Sequence, residues 1–281
     1  MNAYVMTREQ IVLYGEALRL KERCEATAQK YVGAVTAFFE FLPEIKAVSK
    51  EDALAWKAEI SGKFAGNTVN VMISAVNRFF AFMSWVDIRV KQLKIQRLIF
   101  RDRDRELTKE EYARLLNAAK ANGNLRLHYL MQTLASTGIR VSELRFITVE
   151  ALRNGNATVD CKGKRRVILI PKNLRRKLLD YCKEANIASG SVFVTKNGKP
   201  LNRSNVWKEL QRLCESAHVD RRKAFPHNFR HLFAVTFYRA EKDIAKLADL
   251  LGHASVNTTR IYIMESGEEY ERRMEKLGLV V

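Results

Sequence analysis

The chain has 281 residues, 28% of them charged and 47% apolar, enough for one large or two ordinary domains and neither disordered nor fibrous. Its net charge of +18 is uneven: residues 1–100 hold 14 basic and 10 acidic side chains, net +4, and residues 101–281 hold 35 and 21, net +14. Such a field suits a polyanion, most commonly nucleic acid, and the absence of any run near 18 apolar residues argues against a membrane span.

The amino terminus "MNAYVMTREQ" has no apolar run behind a basic start, so no signal peptide is expected. Thr7 and Gln10 have capping-box spacing, and Ile11, Tyr14, Leu18 and Leu20 roughly follow one helical face. The next segment places Tyr31, Val35, Phe38, Phe39 and Leu42 on a stripe that Pro43 ends. Ser49 caps a third helix, and a fourth repeats the stripe with Val69, Ile73, Val76, Phe80 and Met83. Aromatic stripes of this kind are core far more often than ligand platforms. Residues 1–98 therefore read as a helical bundle, and the charge-dense residues 99–107 as a linker.

A second capping box, Thr108 with Glu111, opens a domain over 108–281. In "FITVEALRNGNATVDCKGKRRVILIP" the β-branched runs are separated by Asn154-Gly155 and Lys162-Gly163-Lys164, which predicts a small antiparallel meander of three strands. Helices resume at Asn173 and again from Arg203 to about Ala217. The fold class is mainly α with a small antiparallel β-meander. Four cysteines without a C-x-x-C pair (Cys24, Cys161, Cys182, Cys214) read as core thiols in a reducing cytosol, so the expected compartment is cytoplasmic.

Four short stretches carry polar groups of interest. In "TGIRVSEL", Arg140 and Glu143 are three apart on a helix; an arginine in this apolar setting would be partly buried, with Glu143 fixing its orientation toward a second anion. In "CKGKRR", Lys162 and Lys164 flank a glycine at a hairpin tip; they serve solubility or reach over a bound phosphate. In "FPHNFRHLFAV", Pro226 suits the first helical position, and His227 and Arg230 share a face near the positive helix end, where an anion is favoured. His231 faces apolar neighbours and reads as a structural histidine. In "LGHASVNTTRIY", Gly252 stops a helix, Ser255 caps the next, and His253 and Tyr262 follow. A phenol with pKa about 10 becomes a useful nucleophile only among proton acceptors and positive charge, which the two guanidiniums, one ammonium and two imidazoles would supply. No carboxylate cluster accompanies them, so neither a metal nor another cofactor is expected.

In this order and spacing, "TGIRVSEL", a hairpin lysine, "HNFRH", "LGH" and a tyrosine nine residues after the last histidine resemble the tyrosine recombinase, or lambda-integrase, family over about 125 residues. The helical first domain resembles that family's core-binding domain more loosely. The resemblance implies site-specific DNA recombination through a 3′-phosphotyrosine. Arg140, Arg230, His227 and His253 would clamp the scissile phosphate, Lys162 would protonate the 5′-oxygen, Tyr262 would attack, and Glu143 would orient. It implies double-stranded DNA carrying specific sites as the partner and a homotetramer on two sites. The tail after Tyr262, with Tyr270, Met274 and Leu277 at helical spacing, would dock on a neighbour; folding back on its own domain is the alternative.

The match has departures. Phe229 and Leu232 replace the usual leucine and hydroxyl residue of "H-x-L-R-H-T/S-F". The hairpin is one residue shorter than common versions; Lys162, which precedes glycine as the family's lysine most often does, is favoured over Lys164. With few residues before the first helix, the separate arm-binding domain of larger phage integrases is not expected, and the likeness is to the short Xer-like or invertase type. A type IB topoisomerase-like relaxing enzyme fits size and motifs less well, and a catalytically inactive DNA-binding protein has no use for Tyr262 beside His253. The sequence leaves open the DNA target, the choice among integration, excision, inversion and resolution, and any accessory protein.

Overall fold

The computed structural model describes residues 4–22, 24–95, 103–161, 164–195, 197–262 and 267–279. Contacts divide the chain into two units, Met1–Arg97 and Leu98–Val281.

In the first unit, β1 (Tyr4–Val5) pairs antiparallel with β2 (Ala47–Val48) beside four helices, α1 (Arg8–Leu20), α2 (Glu25–Phe41), α3 (Lys50–Lys63) and α4 (Gly66–Phe82). Reciprocal capping boxes start two of them. Thr7 Oγ1 accepts from the Gln10 amide while Gln10 Oε1 accepts from the Thr7 amide, and Ser49 and Asp52 do the same for α3. The stripes meet as expected: Val35, Phe38 and Phe39 pack with Val69, Ile73, Val76 and Phe80, and Trp56 stands edge-on to Phe38 at 5.2 Å. Each fully buried side chain of this size contributes about 1.5–3 kcal/mol. Leu20 is the exception on its stripe, exposed because it lies two residues, roughly 200°, beyond Leu18. Cys24 corrects the expectation of a core thiol, since it is exposed immediately before α2; Cys182 and Cys214 are buried free thiols.

The second unit is described from a 3₁₀ turn, Arg103–Arg105, onward, so that residues 99–102 of the expected linker lie outside the described residues. Asn228 Nδ2 donates to the Arg105 carbonyl at 2.6 Å and fixes this turn to the helical core. The order continues α5 (Lys109–Ala121), α6 (Leu125–Thr137), a 3₁₀ turn (Val141–Phe146), α7 (Val149–Asn154), β3 (Asn156–Cys161), β4 (Lys164–Leu169), α8 (Lys172–Glu184), α9 (Arg203–Ser216), α10 (Pro226–Glu241), α11 (Ile244–Leu251), α12 (Val256–Arg260) and α13 (Gly267–Glu275).

The expected three-stranded meander is a two-stranded hairpin, β3 with β4, among the described residues. The segment read as its first strand is α7. Thr148 Oγ1 caps it by accepting from the Ala151 amide, Val149 and Leu152 are buried at helical spacing, and Gly155 closes it at φ 79°. In the hairpin, Ala157, Val159, Ile168 and Ile170 face the core, where α6 packs against α10. No helix among the described residues is long and apolar enough to cross a membrane.

Candidate active site

Two glycines bring the motif residues together. Gly138 ends α6 at φ 63°, and a Cβ there would lie 2.4 Å from Cδ1 of Phe233 on α10. Without a side chain, the chain turns against α10, and the Gly138 carbonyl accepts from Arg230 Nη1 at 2.6 Å. Gly252 ends α11 at φ 64°, where a Cβ would meet Cδ of Arg166 at 2.5 Å. The helix stops here for both a conformational and a packing reason.

Arg230 is the buried cation of the site, 2% exposed. Its Nη2 donates to the Leu251 carbonyl at 2.7 Å and to Nε2 of His253 at 2.8 Å. Burial, then the nearby Arg140 charge, pushes the guanidinium below the ordinary arginine value, while a hydrogen bond with the Tyr262 hydroxyl acts in the opposite direction. Arginine only donates, so Nε2 of His253 accepts, and its Nδ1 carries the hydrogen toward Thr259 Oγ1 at 2.8 Å. Burial, with the Arg230 charge next, pushes His253 down to about 4, so the ring is neutral near pH 7.

Tyr262 lies just past Ile261, the residue that caps the end of α12, and is 3% exposed. Its ring lies parallel to that of His253, centroids 5.8 Å apart at 9°, with the rings of His231 at 5.5 Å and His227 at 5.9 Å. The hydroxyl lies 3.5 Å from Nε2 of His227, a long contact. The rest of the ring joins Ala234, Leu247 and Leu251 in a small apolar cluster. His231 is buried, in keeping with the structural reading.

Arg140 stands at the open edge of the site, its side chain 45% exposed, well short of the burial of Arg230. It precedes a 3₁₀ turn rather than lying in an α-helix, and this turn still brings Glu143 beneath it. Glu143, 2% exposed, accepts from the Arg140 amide at 2.7 Å and from Arg140 Nη1 at 3.2 Å. Arg140, His227 and Arg230 open on a cleft of about 760 Å³ that Arg203, Trp207 and Arg221 also line. Lys162 lies outside the described residues, as does the side chain of Lys164. Among the described residues, no group of three His, Cys, Asp or Glu converges as metal ligands would.

Sequence reasoning missed two groups. Thr259 is fully buried and orients His253. Arg166 Nη2 donates to Glu143 Oε2 at 2.6 Å. A signal for Arg166 did exist: the period-2 alternation of β4 puts it on the same inward face as Ile168 and Ile170.

The profile of the Phage integrase family matches residues 105–269, and that of the phage integrase N-terminal SAM-like domain matches residues 11–86. Tyrosine recombinase XerA of Pyrococcus furiosus is 26% identical over 290 residues, covering 100% of this chain and 98% of that protein. Tyrosine recombinase XerC of Roseiflexus sp. is 30% identical, covering 78% and 75%. In fold, a lambda integrase tetramer bound to a Holliday junction matches with a TM-score of 0.73 at 17% identity, over 93% of this chain and 78% of that one. The chain belongs to the phage integrase family, the tyrosine recombinases, enzymes that break and rejoin DNA at specific sites.

Proposed function

We propose that Tyr262 is the nucleophile with which this recombinase cuts DNA, that Arg140, Arg230, His227 and His253 hold the phosphate it attacks, and that Lys162 is the acid. The observation that carries the reading is the enclosure of one phenol by three imidazoles, with its hydroxyl against Arg230 and His227. The phenolic oxygen attacks phosphorus and the P–O5′ bond breaks. The phenolic proton passes to an imidazole, of which His227 Nε2 is placed nearest at 3.5 Å. The departing 5′-oxygen takes a proton from the lysine ammonium, leaving a 3′-phosphotyrosine. A 5′-hydroxyl of a second strand then reverses these steps, and because one ester replaces another no ATP is required.

Arg230 and Arg140 divide the charge work by depth. Arg230 is fixed by two carbonyls and an imidazole, and Arg140, exposed at the cleft, has a carboxylate on one side only. Fixed cations of this kind stabilise the added charge of five-coordinate phosphorus without reorganising. His253, neutral and an acceptor from Arg230, orients that guanidinium and does not itself bring positive charge. The arginine-lined cleft suits a DNA backbone on either side of the scissile phosphate.

Residues 1–98 would complete the grip on DNA as a core-binding domain, joined through residues 99–107 to the catalytic domain, 108–281. Strand exchange would take place in a homotetramer on two sites. Met274 and Leu277 on and just after α13 are 68% and 65% exposed, which supports docking on a neighbouring protomer over folding back. We place the enzyme in the cytoplasm, where buried free thiols such as Cys182 and Cys214 persist reduced.

The test starts with duplexes selected by the wild-type protein from a random-sequence pool. A nicked version of the selected site should trap wild-type protein covalently, and Tyr262→Phe should bind equally well without forming the adduct. An adduct that persists in Tyr262→Phe overturns the assignment. Lys162→Ala and Lys164→Ala on the same duplex separate the two candidates for the acid.

A further inference from the structure

The geometry points to Arg166 as a positioning residue that ties Glu143 to the end of α11 and so holds Arg140 and His253 in one arrangement. The inference rests on the reading that Arg140 acts on the phosphate directly and His253 through the guanidinium of Arg230.

Strand β4 alternates. Arg165, Val167 and Leu169 are exposed, while Ile168 and Ile170 are buried on the opposite face, and Arg166 shares that inward face opposite Val159. A guanidinium at such a position, its side chain only 17% exposed, is costly unless both its charge and its donors are matched. Here they are matched by groups on two separate elements. Nη2 donates to Glu143 Oε2 at 2.6 Å, and Nη1 donates to the Leu250 carbonyl at 2.7 Å.

Both contacts lead directly to groups of the site. Glu143 holds the Arg140 amide and side chain through its two oxygens. Leu250 lies in the last turn of α11, where carbonyls lack helical partners, and its neighbour Leu251 gives its own carbonyl to Arg230. Two arginines thus secure consecutive carbonyls of the turn that leads into Gly252 and His253. Gly252 packs against the aliphatic stem of Arg166 so closely that a Cβ would lie 2.5 Å from Cδ. The Arg166 charge also adds to those that keep His253 neutral.

A direct phosphate contact is the weaker reading. Both Nη atoms are engaged by the protein, and Nε is buried and meets no acceptor among the described residues. Removing Arg166 would leave Glu143 with Arg140 as its one side-chain cation, and the carboxylate would follow that exposed arginine instead of directing it. The α11 turn would lose the tie that sets its distance from Glu143.

The experiment measures single-turnover adduct formation on the selected nicked duplex, with affinity for the intact duplex measured alongside. Wild type is compared with Arg166→Ala, Arg166→Lys, Glu143→Gln and the Glu143→Gln/Arg166→Ala double variant. The expected result is a fall of about 100-fold in rate for Arg166→Ala, a size typical of small displacements of reacting groups, with DNA affinity nearly unchanged. Lysine replaces one of the two bonds and should fall between. The double variant should be no slower than the slower single variant, because both changes break one unit. It also removes the orphaned charge, so it reports the coupling even where Arg166→Ala alone folds poorly.

A rate within about threefold of wild type for Arg166→Ala, or single-variant losses that multiply in the double variant, would overturn the role, since independent sites add in free energy. No adduct in any protein, wild type included, would overturn the catalytic reading itself and this inference with it, an outcome distinct from a wild-type adduct that Arg166→Ala leaves unchanged.

Discussion

Arg230 donates to Nε2 of His253 at 2.8 Å, and the carbonyls of Gly138 and Leu251 take two of its other hydrogens. A cation held this way, 2% exposed, is a structural part as well as a proposed catalytic one, whereas Arg140 stands at the cleft with its side chain 45% exposed. The two arginines should therefore respond differently to removal.

Arg140→Ala and Arg230→Ala should each slow adduct formation by about 10²–10³, the usual loss for one fixed donor to a developing oxyanion. Only Arg230→Ala should also lower stability, by roughly 1–3 kcal/mol for each buried carbonyl left unsatisfied. Arg140→Ala leaves Glu143 paired with Arg166, so its stability should stay within about 1 kcal/mol of wild type. Urea melts beside single-turnover rates separate the two outcomes. Equal destabilisation by both variants would contradict the division by depth.

The neutral state of His253 gives stability a pH dependence of defined sign. In the unfolded chain this imidazole takes up a proton near its ordinary value of about 6.5, while in the fold it resists protonation down to about 4. Between these values the unfolded state binds more protons, so this contribution to stability is present above about 6.5 and is lost as pH falls toward 4. The urea midpoint should drop over that window, and His253→Gln should show a shallower drop. An identical slope in the variant would contradict the assignment of a neutral ring.

Gly138→Ala should destabilise by roughly 2–5 kcal/mol, combining the cost of a left-handed alanine, about 1–2, with that of overpacking, about 1–3. The added Cβ would lie 2.4 Å from the Phe233 ring. Gly138→Ala with Phe233→Leu should recover part of the loss, because leucine removes the rigid ring edge and can turn its methyls away while the backbone cost remains. No recovery in the double variant would mean that the backbone conformation alone explains the glycine.

Much of this architecture is written in local patterns that neighbours do not override. The capping pairs Thr7 with Gln10, Ser49 with Asp52 and Thr108 with Glu111 start helices where spacing places them. The aromatic stripes of the first unit are buried as periodicity implies. The motif order also brings Arg230, His227, His253 and Tyr262 into one cluster. What local patterns miss depends on distant partners. Val149–Asn154 carries β-branched neighbours yet folds as a helix, because Thr148 caps it and Val149 and Leu152 find a buried face. The relative depths of Arg140 and Arg230 are not legible in the motifs, since the turn after Gly138 brings the Arg140 side chain out to the cleft while α10 buries its own arginine. Arg166 reads as one more base in "KRR" until strand alternation is applied and Glu143, 23 residues earlier, is seen against it.

The central claim is that the Tyr262 hydroxyl becomes esterified to DNA, and mapping the covalent site measures this directly. Wild-type adduct on the nicked duplex is digested with nuclease and trypsin, and the peptide carrying the residual nucleotide is fragmented by mass spectrometry. The tryptic peptide from Ile261 to Arg272 contains both Tyr262 and Tyr270, so fragmentation must distinguish them. The account requires the nucleotide on Tyr262; a nucleotide on Tyr270, or on a peptide from elsewhere in the chain, would contradict it.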